Sequence, residues 1–366
     1  MNDQYYMDFA IDLAKRVSGQ TSPNPVVGAV IVKHGEIVGF GAHLKAGEAH
    51  AEVQAIKMAG LEKTSGATVY VTLEPCSHFG KTPPCSNLLI ESRVKRVVIA
   101  SVDPNPLVAG EGIKKLQDAG IETVVGVCQE KALALNEVFF HYIKTNTPFV
   151  TLKTAASLDG KTATYSGESK WITGPDARLD VHHYRHKHDA ILVGVETVIK
   201  DNPSLTTRLP SGGKNPIRVI LDTSLRIPIH SNVLTDGQAD TWIITGCNPD
   251  NEKLKVLKEH NSVQIHSLPT ETINVNEMLN LLGELGVTSL FVEGGATVNG
   301  SFLKANAMNQ VITYLAPKLI GGKEAPTMIA GKGFETMSEV LNLEVKEFSK
   351  IGEDLKIVSV PKKGEE

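Results

Sequence analysis

His50-Ala51-Glu52, followed by Pro75-Cys76 and, after eight intervening residues, by Cys85, brings together one imidazole, two thiols and one carboxylate. This is the side-chain set a hydrolytic zinc centre requires. Structural zinc sites are usually closed by four protein ligands, whereas His50, Cys76 and Cys85 supply three and leave a position for water. Glu52 is then free to collect the proton of that water and pass it to a leaving group. Residues i and i+2 do not face each other on a regular helix, so His50 and Glu52 converge only if His50 sits in an irregular first turn. A buried histidine with two unrelated core cysteines, or a closed structural site with a further ligand, is the alternative.

The rest of the chain sets bounds. At 366 residues, and with about 100–200 residues per domain, two domains are expected. A hydrophobic fraction of 41% suits a soluble globular protein. The net charge of −4 gives no broad attraction to nucleic acid or anionic lipid. No stretch reaches the ~18 uninterrupted apolar residues of a membrane span, and the first 19 residues carry acids throughout, so a cytoplasmic location is expected. Cys128 and Cys247 are expected to be ordinary buried thiols.

Periodicity predicts an α/β chain in two blocks. In the first, helices at 3–18, 50–59, 85–92, 111–119 and 130–144 alternate with strands at 26–32, 37–40, 68–73, 97–102 and 122–125, a sheet covered by helices on both sides. The polar segment Lys144-Thr-Asn-Thr-Pro148 places the boundary, giving domains 1–145 and 149–366. In the second block, strands are expected at 149–156, 190–193, 218–221, 241–245, 289–292 and 310–315, with helices at 176–188, 251–260, 275–285 and 296–305. Lys362 to Glu366 reads as a frayed tail. His182 and His186 have metal-chelating i, i+4 spacing, but with no acidic or cysteine companion nearby they read as a solvated basic face.

His-x-Glu with Pro-Cys and a second cysteine resembles the cytidine-deaminase-like superfamily, with the usual Pro-Cys-x-x-Cys widened to Cys76-Ser-His-Phe-Gly-Lys-Thr-Pro-Pro-Cys85. Together with Thr21-Ser-Pro-Asn-Pro-Val-Val-Gly28 and Ala49-His-Ala-Glu52, this stretch is similar to the deaminase half of the bifunctional riboflavin-biosynthesis deaminase/reductases. Lys153-Thr-Ala-Ala-Ser-Leu-Asp-Gly-Lys161, Ser166-Gly-Glu-Ser-Lys-Trp-Ile-Thr173, Asp201-Asn-Pro203 and Val292-Glu-Gly-Gly295 resemble the reductase half, which has a dihydrofolate-reductase-like fold. The resemblance implies two consecutive steps on a small pyrimidine ribosyl phosphate. These are zinc-dependent removal of the 2-amino group, with Glu52 as the proton shuttle, and NADPH-dependent reduction of the ribosyl group to ribityl. It also implies a homo-oligomer. A zinc deaminase acting on RNA or a free nucleoside is the alternative, disfavoured by the acidic balance, the widened cysteine spacing and the second domain.

Residue by residue, the resemblance implies that Asn24 meets the pyrimidine edge and that His43, His78 and Lys81 grip the phosphate. In the reductase half it assigns Ala155, Trp171, Thr197, Asp201, Thr223 and Gly295 to the cofactor, and Ser169, Arg185, Leu205, Arg208 and Glu293 to the substrate. Lys153, Asp201 and Glu293 are the candidates for moving a proton at the opened sugar. Val292-Glu-Gly-Gly-Ala-Thr297 joins an expected strand to an expected helix, where small residues let backbone N–H groups approach a phosphate.

Overall fold

A computed structural model of the chain describes residues 2–78, 83–105 and 109–362. It divides into two compact units, Met1–Asn146 and Thr147–Glu366. The first holds strands β1 (Gly28–Lys33), β2 (Glu36–Ala42), β3 (Thr68–Val71), β4 (Arg96–Ile99) and β5 (Glu122–Val125) in the order β2-β1-β3-β4-β5. β1 is antiparallel to both its neighbours, and β3, β4 and β5 run parallel.

Strand side chains alternate between the two faces of a sheet. Here Ile31, Val69, Val71 and Val97 pack with Ala51, Ala55, Leu89 and Leu116, so helices Ala51–Ala59, Cys85–Glu91 and Glu111–Asp118 cover one face. Val30, Val32, Tyr70 and Val98 meet Met7, Ile11 and Ala132 on the other, beneath helices Asp3–Lys15 and Gln129–Leu135. The expected sheet covered on both sides is what forms. A Cβ at Gly41 would lie 2.7 Å from the Ala51 carbonyl oxygen, and one at Gly39 would lie 2.8 Å from the Ala59 Cβ. Helix Ala51–Ala59 therefore seats directly on β2, which fixes where it begins.

The helix expected at 130–144 is two, Gln129–Leu135 and Glu137–Thr145. The buried Asn136 side chain accepts the Val26 N–H at 2.9 Å and donates to the Val26 carbonyl at 2.9 Å, and the helical path breaks around that bond. The cysteine expectation also fails. Cys128 is half-buried with its thiol 3.6 Å from Asp8, and Cys247 is exposed.

The second unit carries β6 (Phe149–Ser157), β7 (Ala190–Gly194), β8 (Ile217–Leu221), β9 (Thr241–Thr245), β10 (Val263–Ser267), β11 (Ser289–Val292), β12 (Gln310–Ala316), β13 (Leu343–Ile351) and β14 (Asp354–Pro361). Their order is β10-β9-β8-β7-β11-β6-β12-β14-β13. All are parallel up to β12, and β14 and β13 close that edge as an antiparallel hairpin. The hairpin braces helix Pro175–Lys187. Asp354 accepts the Gly174 N–H at 2.7 Å, Lys356 Nζ lies 2.8 Å from the Asp180 carboxylate, and the Tyr314 hydroxyl donates to Asp180 at 2.6 Å.

At the end of that helix the buried His188 ring donates from Nδ1 to the Tyr184 carbonyl at 2.8 Å, and its Nε2 lies 3.0 Å from the Thr151 hydroxyl. Burial pushes the imidazole down to about 4. The unfolded chain, with an ordinary histidine pKa of ~6.5, then binds this proton first, so stability should fall as pH drops from there to about 4. We expect His188 to contribute about 2–3 kcal/mol to that loss. Denaturant midpoints measured against pH should fall less steeply for His188→Gln than for the parent; identical slopes would count against this assignment.

Candidate active sites

His50 is the N-cap of helix Ala51–Ala59, with φ −69° and ψ 165°, so its backbone is still extended. This irregular entry removes the i, i+2 obstacle and lets the imidazole and the Glu52 carboxyl share one site. Cys76 follows β3, and Cys85 opens helix Cys85–Glu91. His50 Nδ1 lies 3.7 Å from Cys76 Sγ and 3.3 Å from Cys85 Sγ, and the three donor atoms are all within 4.8 Å of one another. The Cys85 backbone N–H donates to Cys76 Sγ at 3.2 Å. A hydrogen bond from the Cys85 thiol, aided by His50 and that N–H, pushes Cys76 down to about 4, while the same thiol contact and burial push Cys85 up. The cluster thus offers a ready thiolate, a second thiol and one imidazole nitrogen, a donor set that fits zinc and leaves a fourth position for water.

Glu52 is only 3% exposed and stands outside the donor set. Burial, with help from the Cys76 charge, pushes its carboxyl up to about 7. A carboxyl near neutrality can both take and return a proton.

These groups open into a cavity of about 520 Å³ whose walls include Asn24, His43, His78, Glu48, Asp103 and Asn105. Asn24 and His78 therefore face the expected site. His43 lines it differently from the expectation. Its ring is 2% exposed, its Nδ1 donates to the Ala49 carbonyl at 3.2 Å, and its Nε2 accepts from Asn24 Nδ2 at 3.1 Å. Burial lowers its pKa, and in this position the ring braces Asn24. Lys81 lies outside the described residues. Asp103 and Asn105, which no metal or catalytic motif flags in the sequence, were missed; the Asp-Pro-Asn turn signal was the available clue.

In the second unit Lys153 on β6, Arg185 on helix Pro175–Lys187 and Glu293 just past β11 converge. Arg185 grips the Glu293 carboxylate with two bonds, Nε to Oε1 at 2.6 Å and Nη2 to Oε2 at 3.2 Å, and spends an Nη1 bond on the Thr206 carbonyl at 3.0 Å. Lys153 Nζ is 3.8 Å from Glu293. Burial opposes charge on Glu293, but Arg185 and Lys153 outweigh it and hold the carboxyl below its ordinary value. Burial and the neighbouring Arg185 lower Arg208, whose guanidinium makes no hydrogen bond or ion pair among the described residues. Asp201 is exposed at the end of helix Val195–Asp201, and among the described residues no ion pair joins it to Lys153. The Leu205 side chain is in the core, so only its backbone can meet a ligand. His182 and His186 accept the backbone N–H groups of Arg208 and Lys214 at 3.2 and 2.9 Å, which makes them loop staples.

Ala155, Thr197, Thr223 and Gly295 lie at or beyond the carboxyl ends of β6, β7, β8 and β11, where open α/β sheets bind their ligands. Gly294 is required by packing, since a Cβ there would meet Val298 at 2.5 Å. Gly295 is different: it is the exposed N-cap of helix Ala296–Lys304, and the nearest atom a Cβ would meet is the Thr197 hydroxyl at 3.7 Å. That open cradle at a helix start fits the phosphates of a nicotinamide dinucleotide. Trp171 is 64% exposed with the Arg178 guanidinium 4.6 Å over its ring, and Ser169 is exposed on the same segment.

A zinc-type deaminase centre on a covered mixed sheet, and a dinucleotide cradle on a parallel one, define a bifunctional deaminase and reductase. Residues 1–101 match the cytidine and deoxycytidylate deaminase zinc-binding region, and residues 148–357 match the RibD C-terminal domain. The riboflavin biosynthesis protein RibD of Bacillus amyloliquefaciens is 54% identical over 100% of this chain and 98% of its own length. That of Escherichia coli is 41% identical over 97% and 98%. Among solved structures, Acinetobacter baumannii RibD superposes with a TM-score of 0.89 at 40% identity, covering 99% of each chain. A Thermotoga maritima diaminohydroxyphosphoribosylaminopyrimidine deaminase/5-amino-6-(5-phosphoribosylamino)uracil reductase does so with 0.85 at 36%, covering 98% of each. The chain belongs to the RibD family. It is a bifunctional enzyme of riboflavin biosynthesis, a zinc-dependent deaminase and an NADPH-dependent reductase. No helix among the described residues is long and apolar enough to cross a membrane.

Proposed function

We propose that residues 1–145 deaminate 2,5-diamino-6-(5-phosphoribosylamino)pyrimidin-4-one and that residues 149–366 then reduce its ribosyl group to ribityl. The observation that carries the first step is the buried Glu52 carboxyl beside the His50, Cys76 and Cys85 donors. Zinc, when bound by those three, supplies a Lewis acid that makes water acidic enough to react near neutral pH. Glu52 passes one proton of the attacking water to a ring nitrogen of the pyrimidine, then carries the second, from the new hydroxyl, to the amino group, which leaves as ammonia as the carbonyl forms. Asn24 commits its Nδ2 to His43, which leaves Oδ1 as the acceptor for the pyrimidine edge. His78 and Lys81 are the side chains assigned to the phosphate of this first substrate.

In the second step NADPH, when bound, supplies the hydride. Gly295, Thr197 and Thr223 hold its phosphates and ribose, while Trp171, Ala155 and Asp201 border the remainder. Arg208 and the unspent N–H groups of Arg185 take the substrate phosphate, with Ser169 and the Leu205 backbone beside them. Lys153 and Glu293 hold and return the proton at the opened sugar, with Asp201 a more distant candidate.

We also assign the enzyme to the cytoplasm, where the thiols of Cys76 and Cys85 stay reduced, and to a homo-oligomer. The oligomer reading is supported by the edge strand β13, on which Val345 and Phe348 are 58% and 65% exposed. A turnover assay tests the whole reading: ammonia release from the diaminopyrimidinone should precede NADPH oxidation. Ammonia without NADPH oxidation would remove the reductase assignment, and neither signal from zinc-loaded protein would return the nucleoside and RNA substrates to consideration.

A further inference from the structure

Glu74, two residues before the zinc ligand Cys76, is 6% exposed, yet no cationic side chain pairs with it among the described residues. Its charge is met by backbone alone. Oε1 accepts the N–H groups of Gly112 and Ile113 at 2.9 and 3.2 Å, and Oε2 accepts those of Gly110 and Asp103 at 3.0 and 3.2 Å. Three of these N–H groups belong to the start of helix Glu111–Asp118, where partial positive charge favours an anion. The fourth belongs to the cavity wall. Asp103 in turn accepts the Asn105 N–H at 2.9 Å, so one buried carboxylate sets two cavity-lining residues in sequence.

We infer that Glu74 is a positioning residue for deamination: it ties the zinc-ligand segment to the Asp103–Asn105 wall of the substrate cavity. The tie is stiff on both sides. Pro75 restricts the backbone between Glu74 and Cys76, and a Cβ on Gly112 would collide with the Pro75 carbonyl, so the helix start and the ligand segment lie in direct contact. Glu74 stands outside the donor set and, like Asp103 and Asn105, borders the cavity, and it acts through the wall it holds.

This inference rests on the deaminase reading, and wild-type ammonia release from the diaminopyrimidinone is the control that tests that reading separately. In Glu74→Gln an amide N–H₂ replaces one acceptor oxygen and faces backbone N–H groups, which loosens two of the four contacts. The expected result is a KM for deamination raised about tenfold, with kcat within about threefold, zinc still bound and reduction of the deaminated intermediate unchanged. A role in folding alone would lower the amount of active enzyme and leave KM where it was, and an unmoved KM in zinc-loaded Glu74→Gln would overturn the inference. Should the variant not fold, hydrogen exchange on the unmodified enzyme decides. Slow exchange at Asp103, Gly110, Gly112 and Ile113 supports the clamp, and exchange at open-loop rates overturns it.

Discussion

Glu52→Gln is expected to cut ammonia release by about 10³-fold or more while zinc content stays at the parental level. The expectation follows from two separate facts. The carboxyl lies outside the His50, Cys76 and Cys85 donor set, so an isosteric amide costs the metal no ligand. It is also 3% exposed, which leaves little room for bulk water to stand in as the proton carrier. Metal analysis alongside an ammonia assay separates the two. Reduction of the already deaminated intermediate should proceed at the parental rate, because Lys153, Arg185 and Glu293 belong to the other unit. Ammonia release at near-parental rates would end the proton-shuttle assignment, and loss of zinc would make Glu52 part of the metal site.

Glu293→Gln is expected to be costly in a different way. Its carboxylate accepts two Arg185 bonds and faces Lys153 at 3.8 Å, with the side chains of Arg185 and Glu293 only 12% and 11% exposed. Removing the charge leaves two cations facing each other with little solvent, a loss of about 3 kcal/mol in the second unit. NADPH oxidation should fall about 100-fold, and ammonia release should persist. Absorbance of NADPH, ammonia production and thermal unfolding, followed on one preparation, give the three readings. A fully active variant would reduce Glu293 to a brace for Arg185.

The parts legible in the sequence are those in which one residue type at one spacing carries the chemistry. His50, Glu52, Cys76 and Cys85 can be read because metal ligation restricts the choice of side chain, and the structure supplies the missing piece, an N-cap that turns His50 toward Glu52. Glu74 could not be read this way, since its four partners are backbone N–H groups that leave no trace in residue identity. Asn136 hides a helix break behind unbroken helical periodicity for the same reason. Strands β13 and β14 were absent from the sequence reading. In β13 the register shifts between Val345 and Glu347, so the alternation that marks a strand changes face midway, and as an edge strand it buries little to restore the signal. Strand β10, Val-Gln-Ile-His-Ser at the other edge, buries only Val263 fully and lacks the apolar run that marks β7, β8 and β9.

The brace on helix Pro175–Lys187 also says something about how the molecule is made. Gly174 and Asp354 meet across 180 residues of sequence, so the helix that carries Arg185 emerges from the ribosome long before the strand that holds its first turn. The zinc donors and all five strands of the first sheet lie within the first 125 residues and need nothing that follows β5 to pair. Domains generally fold in the order of synthesis. The first sheet can therefore pair in the nascent chain well before the brace on helix Pro175–Lys187 exists.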